Sequence, residues 1–195
     1  MINNDKKNEE VQNLQNKEDK LENTNENEIY KIMDLLTMDE VISYISNDLV
    51  FILIENRGKA KVKVDDVDDP LYSNRVPIIK IEDYLKRLVQ YSKMEISTLI
   101  LTFIYIKRFI DKENFIILFN NIFRLIISCS ILAIKFNENR TFKNTIYAKI
   151  GGLSVEELNN LEYNVFNRLN FQLHVTDKEF SNIIFLIYKE YSQNN

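Results

Sequence analysis

A chain of 195 residues with 45% hydrophobic and 11% aromatic content can bury one sizeable core. A net charge of −4 with scattered Lys and Arg argues against a phosphate-backbone binder, and three glycines and two prolines argue against hairpin-rich β folds and Gly-rich phosphate loops. The single cysteine excludes an intrachain disulfide and fits a reducing compartment.

Residues 1–27 are rich in Asn, Lys, Glu and Asp and poor in apolar residues, which predicts a disordered polar tail. The opening MINNDKKNEEVQ lacks the apolar core of a signal peptide. Residues 28–58 are an expected N-terminal helical segment. A short helix near 29–36 precedes Thr37-Met38-Asp39-Glu40, a capping box followed by Val41, Ile45, Leu49, Ile52 and Leu53 at helical spacing. Arg57 and Gly58 mark its end. Residues 59–76 break the periodicity and read as an acidic surface loop. Asp65, Asp66, Asp68 and Asp69 lack calcium-loop spacing, so they read as a solvated charge run and no metal site is expected.

From residue 77 to 192 the chain is helix after helix. Residues 81–93 place Ile81, Tyr84, Leu85, Leu88 and Tyr91 on one stripe. Residues 95–111 and 115–136 are apolar nearly all round, as in helices buried within a bundle. The apolar run at 96–106 is shorter than the roughly 20 residues a membrane span needs, and the run at 122–134 carries Arg124, so neither predicts a membrane segment. Cys129 sits mid-helix among isoleucines and reads as a core residue. The lone His174 lies outside that helix, so a nucleophilic pair is not expected. A short helix at 144–150 stops at Gly151-Gly152, with a left-handed angle expected at one of them. Ser154-Val155-Glu156-Glu157 is a second capping box, opening a helix to about residue 170, and Thr176-Asp177-Lys178-Glu179 is a third. The pattern predicts an all-α fold of five tightly connected helices with an added helix at each end.

Two charges stand out on the greasy elements. Lys135 ends the helix at 115–136, flanked by Leu132 and Phe136. Glu162 lies at the edge of a stripe formed by Leu158, Leu161, Val165 and Leu169, with Tyr163 and Phe166 widening the apolar sector. In an arbitrary helical protein they would be a helix-end cation and a solvated carboxylate, paired with each other. The wide apolar sector around them fits a docking strip instead.

Several motifs resemble the cyclin box. Tyr105-Ile106-Lys107-Arg108-Phe109 resembles the Tyr-Ile-Asp-Arg-Phe pattern of its second helix. Leu132-Ala133-Ile134-Lys135-Phe136 resembles the end of its third. Leu161-Glu162-Tyr163 and Leu169-Asn170-Phe171-Gln172-Leu173 resemble its fifth helix and exit. The stretches YAKIGGLS at 147–154 and IEDYLKRL at 81–88 resemble the P-type subgroup, also called U-type or phosphate-regulon cyclins. The resemblance covers about residues 76–175.

It implies a single five-helix cyclin box in a non-catalytic regulatory subunit that binds and activates or targets a cyclin-dependent protein kinase. The partner face it implies comprises Lys135, Glu162, Leu132, Phe136, Tyr163, Phe166, Phe171 and Leu173. It implies no cofactor, metal, small-molecule ligand, nucleic acid or membrane partner, and an intracellular location in nucleus or cytoplasm. Many cyclins pair an early Arg with the Asp of the second helix. Lys107 replaces that Asp, and the early position aligns near Ile78, so that pair is expected to be absent as a unit. The basic-apolar start of the box that mitotic cyclins use to recruit substrates has no match, and there is no second box. The alternative is a cyclin-fold interaction module, of transcription-factor or scaffold type, without kinase activation.

Overall fold

A computed structural model describes residues 26–58 and 69–192. They form eight helices and no strands. In chain order these are α1 (Glu26–Leu35), α2 (Met38–Asn56), α3 (Ile81–Ser92), α4 (Ile96–Glu113), α5 (Ile122–Asn137), α6 (Asn144–Gly151), α7 (Val155–Arg168) and α8 (Asp177–Ser192). The expected tail at 1–27 and acidic residues Asp65, Asp66 and Asp68 lie outside the described residues, apart from the first turn of α1.

The chain divides into two compact units. In one, which contains α1 and α8, these two helices pack on each other. The Thr176 hydroxyl accepts from the Glu179 N–H at the start of α8. The other unit, Thr37–Val175, contains α2 and the five helices α3 to α7.

In that larger unit α5 is the hub, packing on α3, α4 and α7. From Ile122 to Ile134 every residue except Arg124 is buried, as an all-round apolar sequence requires. The hydroxyls of Ser128 and Ser130 turn back to the carbonyls one turn earlier, so they sit in the core without orphan donors. Cys129 is wholly buried, and burial pushes its thiol pKa up, consistent with a packing role. Two of the three anticipated capping boxes form in full in this unit. Thr37 and Glu40 exchange hydrogen bonds at the start of α2, and Ser154 and Glu157 do so at the start of α7.

Three sequence readings need correction. The helix expected to begin at 115 starts at Ile122. Asn114 adopts a left-handed angle (φ 48°), and the buried Asn121 side chain accepts from the Leu118 N–H and donates to the Ile116 carbonyl, holding 115–121 as a turn. Tyr91, placed on the inward stripe of α3, is exposed. Ten positions from Ile81 it has drifted to the stripe's edge, and the small Ser92 takes the inward position. The loop end at 69–76 is not a simple solvated run. Leu71 is fully buried, and Asp69 pairs with Arg168 at 2.7 Å.

Long-range polar contacts fix the helix ends. The Glu138 carboxylate, just past α5, accepts from the Glu95 N–H and the Thr98 hydroxyl and so caps α4 from 43 residues away. Arg168, at the end of α7, bonds Asp69 and Glu113 and stacks 4.6 Å from the Phe109 ring centroid. Lys107 is not left without a partner. It pairs with Asp48 of α2 at 3.3 Å, so the ion pair expected to vanish is replaced by one of opposite polarity.

Candidate docking face

The core stripe of α7 is as read from the sequence: Leu158, Leu161, Val165 and Leu169 are all fully buried. Anchoring that stripe against α5 fixes where the next residue round the helix, Glu162, must lie. Lys135 occupies the last turn of α5, where a cation also suits the helix dipole. The two side chains meet. The Lys135 ammonium donates to both Glu162 carboxylate oxygens, at 2.6 and 2.8 Å. Both are partly open to solvent, with Lys135 38% and Glu162 17% exposed at the side chain. The pairing anticipated for a bland helical protein is therefore present.

A third residue completes the arrangement and was missed in the sequence. Asn144, the first residue of α6, donates to the Glu162 Oε2 at 2.8 Å and to the Asn159 side chain at 2.7 Å. Glu162 is thus held from two elements, which fixes the direction of its carboxylate. No local pattern marks Asn144, because its partner is 18 residues away on a different helix.

The apolar residues divide by depth. Phe136, beside Lys135, and Tyr163, beside Glu162, are exposed, as is Phe171. Phe166 is half-buried and meets Phe171 edge-on with centroids 4.8 Å apart. Leu132 is buried, so it backs the face rather than belonging to it. Leu173 is half-buried, and its carbonyl accepts from the Tyr105 hydroxyl at 2.7 Å. The chain turns sharply at the exit from α7: Asn170 and Phe171 take left-handed angles (φ 52° and 60°), and Arg108 donates to the carbonyls of Gln172 and His174.

Chemically the face offers a charged pair amid aromatic surface. Among the described residues no group of three or more His, Cys, Asp or Glu is placed to hold a metal ion, and no helix is long and apolar enough to cross a membrane. Cys129 is buried and His174 is exposed.

The family profile "Cyclin" matches residues 2–173. Curated relatives include Cyclin-U4-3 of Arabidopsis thaliana, 36% identical over 58% of this chain and 52% of the relative. Cyclin-U2-1 of the same organism is 33% identical over 73% of this chain and 65% of the relative. Cyclin-P3-1 of Oryza sativa subsp. japonica is 30% identical over 66% of this chain and 54% of the relative. The chain spans between half and two thirds of the length of these relatives.

Proposed function

Because the chain belongs to the cyclin family, we propose that it is a regulatory subunit that docks a cyclin-dependent protein kinase through the Lys135–Glu162 face. The observation that carries this reading is the pre-set pair itself. A cation and a carboxylate are locked together and held by Asn144, with Phe136, Tyr163 and Phe171 exposed around them. Aromatic surface around a few directed polar groups is what a specific protein interface uses for affinity and register.

In this reading the chain supplies no catalytic group. Its docking holds the mobile C-helix of the kinase inward, so that the helix's Glu reaches the catalytic Lys that orients ATP phosphates. The free energy comes from differential binding to the active arrangement, which shifts a population rather than performing a step. The five helices α3 to α7 then serve as the box, α1 and α2 as an N-terminal helical segment and α8 as an appended helix.

The experiment is binding to, and activation of, a purified cyclin-dependent kinase by the wild-type chain and by Lys135→Ala, Glu162→Ala and the double variant. Hydrogen bonds to charged groups contribute about 1.5–3 kcal/mol, so each single variant should lose more than about tenfold in affinity. The pair is partly solvated, so melting temperatures should hardly move. Normal binding by the double variant would remove this face from consideration.

A further inference from the structure

A second surface lies on other helices. One side of α3 and one side of α6 form an open groove of about 690 Å³. Its apolar part carries Tyr91 and Ile146, which are 60% and 42% exposed. Three cations line it: Lys86 and Arg87 of α3 and Lys149 of α6, against one carboxylate, Asp83. In a chain of net charge −4 this is a local reversal of sign.

The cations differ in readiness. Lys86 is tied to Glu82 at 2.8 Å on its own helix. Arg87 donates to the Lys149 carbonyl at 3.3 Å, which spans the two helices and holds the guanidinium at the groove. Lys149 is exposed, lines the groove and enters that contact only through its backbone. Exposed apolar side chains between unneutralised cations suit a ligand that brings carboxylates and a large apolar side chain together.

We propose that the α3–α6 groove docks an acidic peptide segment of a partner protein, with an apolar residue seated on Tyr91 and Ile146 between carboxylates that meet Arg87 and Lys149. Nucleic acid fits less well, because three cations and one anion make a small electrostatic footprint and the groove offers apolar contacts that a phosphate backbone does not use. The groove shares no residue with the Lys135–Glu162 face, so the proposal stands apart from kinase docking.

The test uses the full chain and two labelled synthetic peptides about twelve residues long, with fluorescence anisotropy as the readout. One peptide carries Glu around a central Leu-Phe pair, and the other carries Lys at each Glu position. The acidic peptide should bind and the basic one should not. Lys149→Glu should weaken binding about tenfold, and so should raising salt from about 50 to about 300 mM. Lys135→Ala should leave it unchanged, which separates this proposal from the kinase reading. Melting curves guard against a folding defect, and Ile146→Ser supplies a second variant that removes the apolar contact without touching charge. Equal binding of the two peptides, or undiminished binding by both Lys149→Glu and Ile146→Ser, would overturn the proposal. So would failure of the acidic peptide to bind, or preferential binding of a single-stranded oligonucleotide or anionic vesicles.

Discussion

Gly151 offers the sharpest test of how α6 is seated. It lies at the last helical position of α6, and a Cβ built there would stand 2.0 Å from the Ile127 Cδ1 and 3.4 Å from its Cγ1. No real Cβ tolerates the first distance. Ile127 is 1% exposed within α5, so its methyl has little room to retreat. Gly151→Ala should therefore cost about 1–3 kcal/mol in overpacking, offset by about 0.4–1 kcal/mol from a less flexible unfolded chain. The net loss is about 0.5–2 kcal/mol. Ile127→Val removes the offending methyl and should itself cost about 0.5–1.5 kcal/mol. In the double variant the alanine fills the space the methyl left, with the remaining branch at an acceptable distance. The two costs should then fail to add, with a coupling of about 1–2 kcal/mol in favour of the double variant. Urea melts of the four proteins measure it directly. Additivity within about 0.5 kcal/mol would refute the close approach of Gly151 to Ile127. Gly152 provides the control. A Cβ there meets nothing within 4 Å, but its φ of +72° penalises any side chain. Gly152→Ala should lose about 1 kcal/mol by backbone conformation alone, and Ile127→Val should not rescue it.

Other outcomes follow from the polar contacts. Arg168→Ala strips Asp69 and Glu113 of their shared guanidinium and should destabilise by about 2–3 kcal/mol in chemical denaturation; Arg168→Lys should recover little, because an ammonium cannot reproduce two directed bonds and the stack on Phe109. Lys107→Glu should destabilise by about 1 kcal/mol through repulsion from Asp48, and the added Asp48→Lys should restore most of the loss in a double-mutant cycle. The Ser154 N–H, joined by the Arg124 guanidinium, holds the Glu157 carboxyl below its ordinary value of 4.5. That stability is present above the unfolded value and lost as pH falls through the lower folded one, so Glu157→Gln should flatten the acid limb of a stability–pH curve and leave the protein weaker at neutral pH.

What the sequence determined by itself is local or periodic. The capping boxes at Thr37 and Ser154 involve residues three apart, so their chemistry is written in four consecutive letters. The buried character of α4 and α5 follows from apolar residues on every side, and the inward stripe of α7 from its spacing. The motifs around Lys135 and Glu162 carried the family, which the profile match shows. What only the tertiary structure decided depends on residues distant in the chain. The start of α5 was set by the fit of Asn121 in a turn, which apolar flanks cannot reveal. The cap on α4 comes from Glu138, and Arg168 gathers acids 99 and 55 positions away. Asp48 was invisible as the partner of Lys107 because the charges are reversed from the expected pair and the acid sits 59 positions earlier, on α2. Depth followed the same rule: Leu132 and Phe136 are four apart on one helix, yet one is buried and the other exposed. Helical spacing places residues on a face, but packing by other helices sets where that face ends and solvent begins.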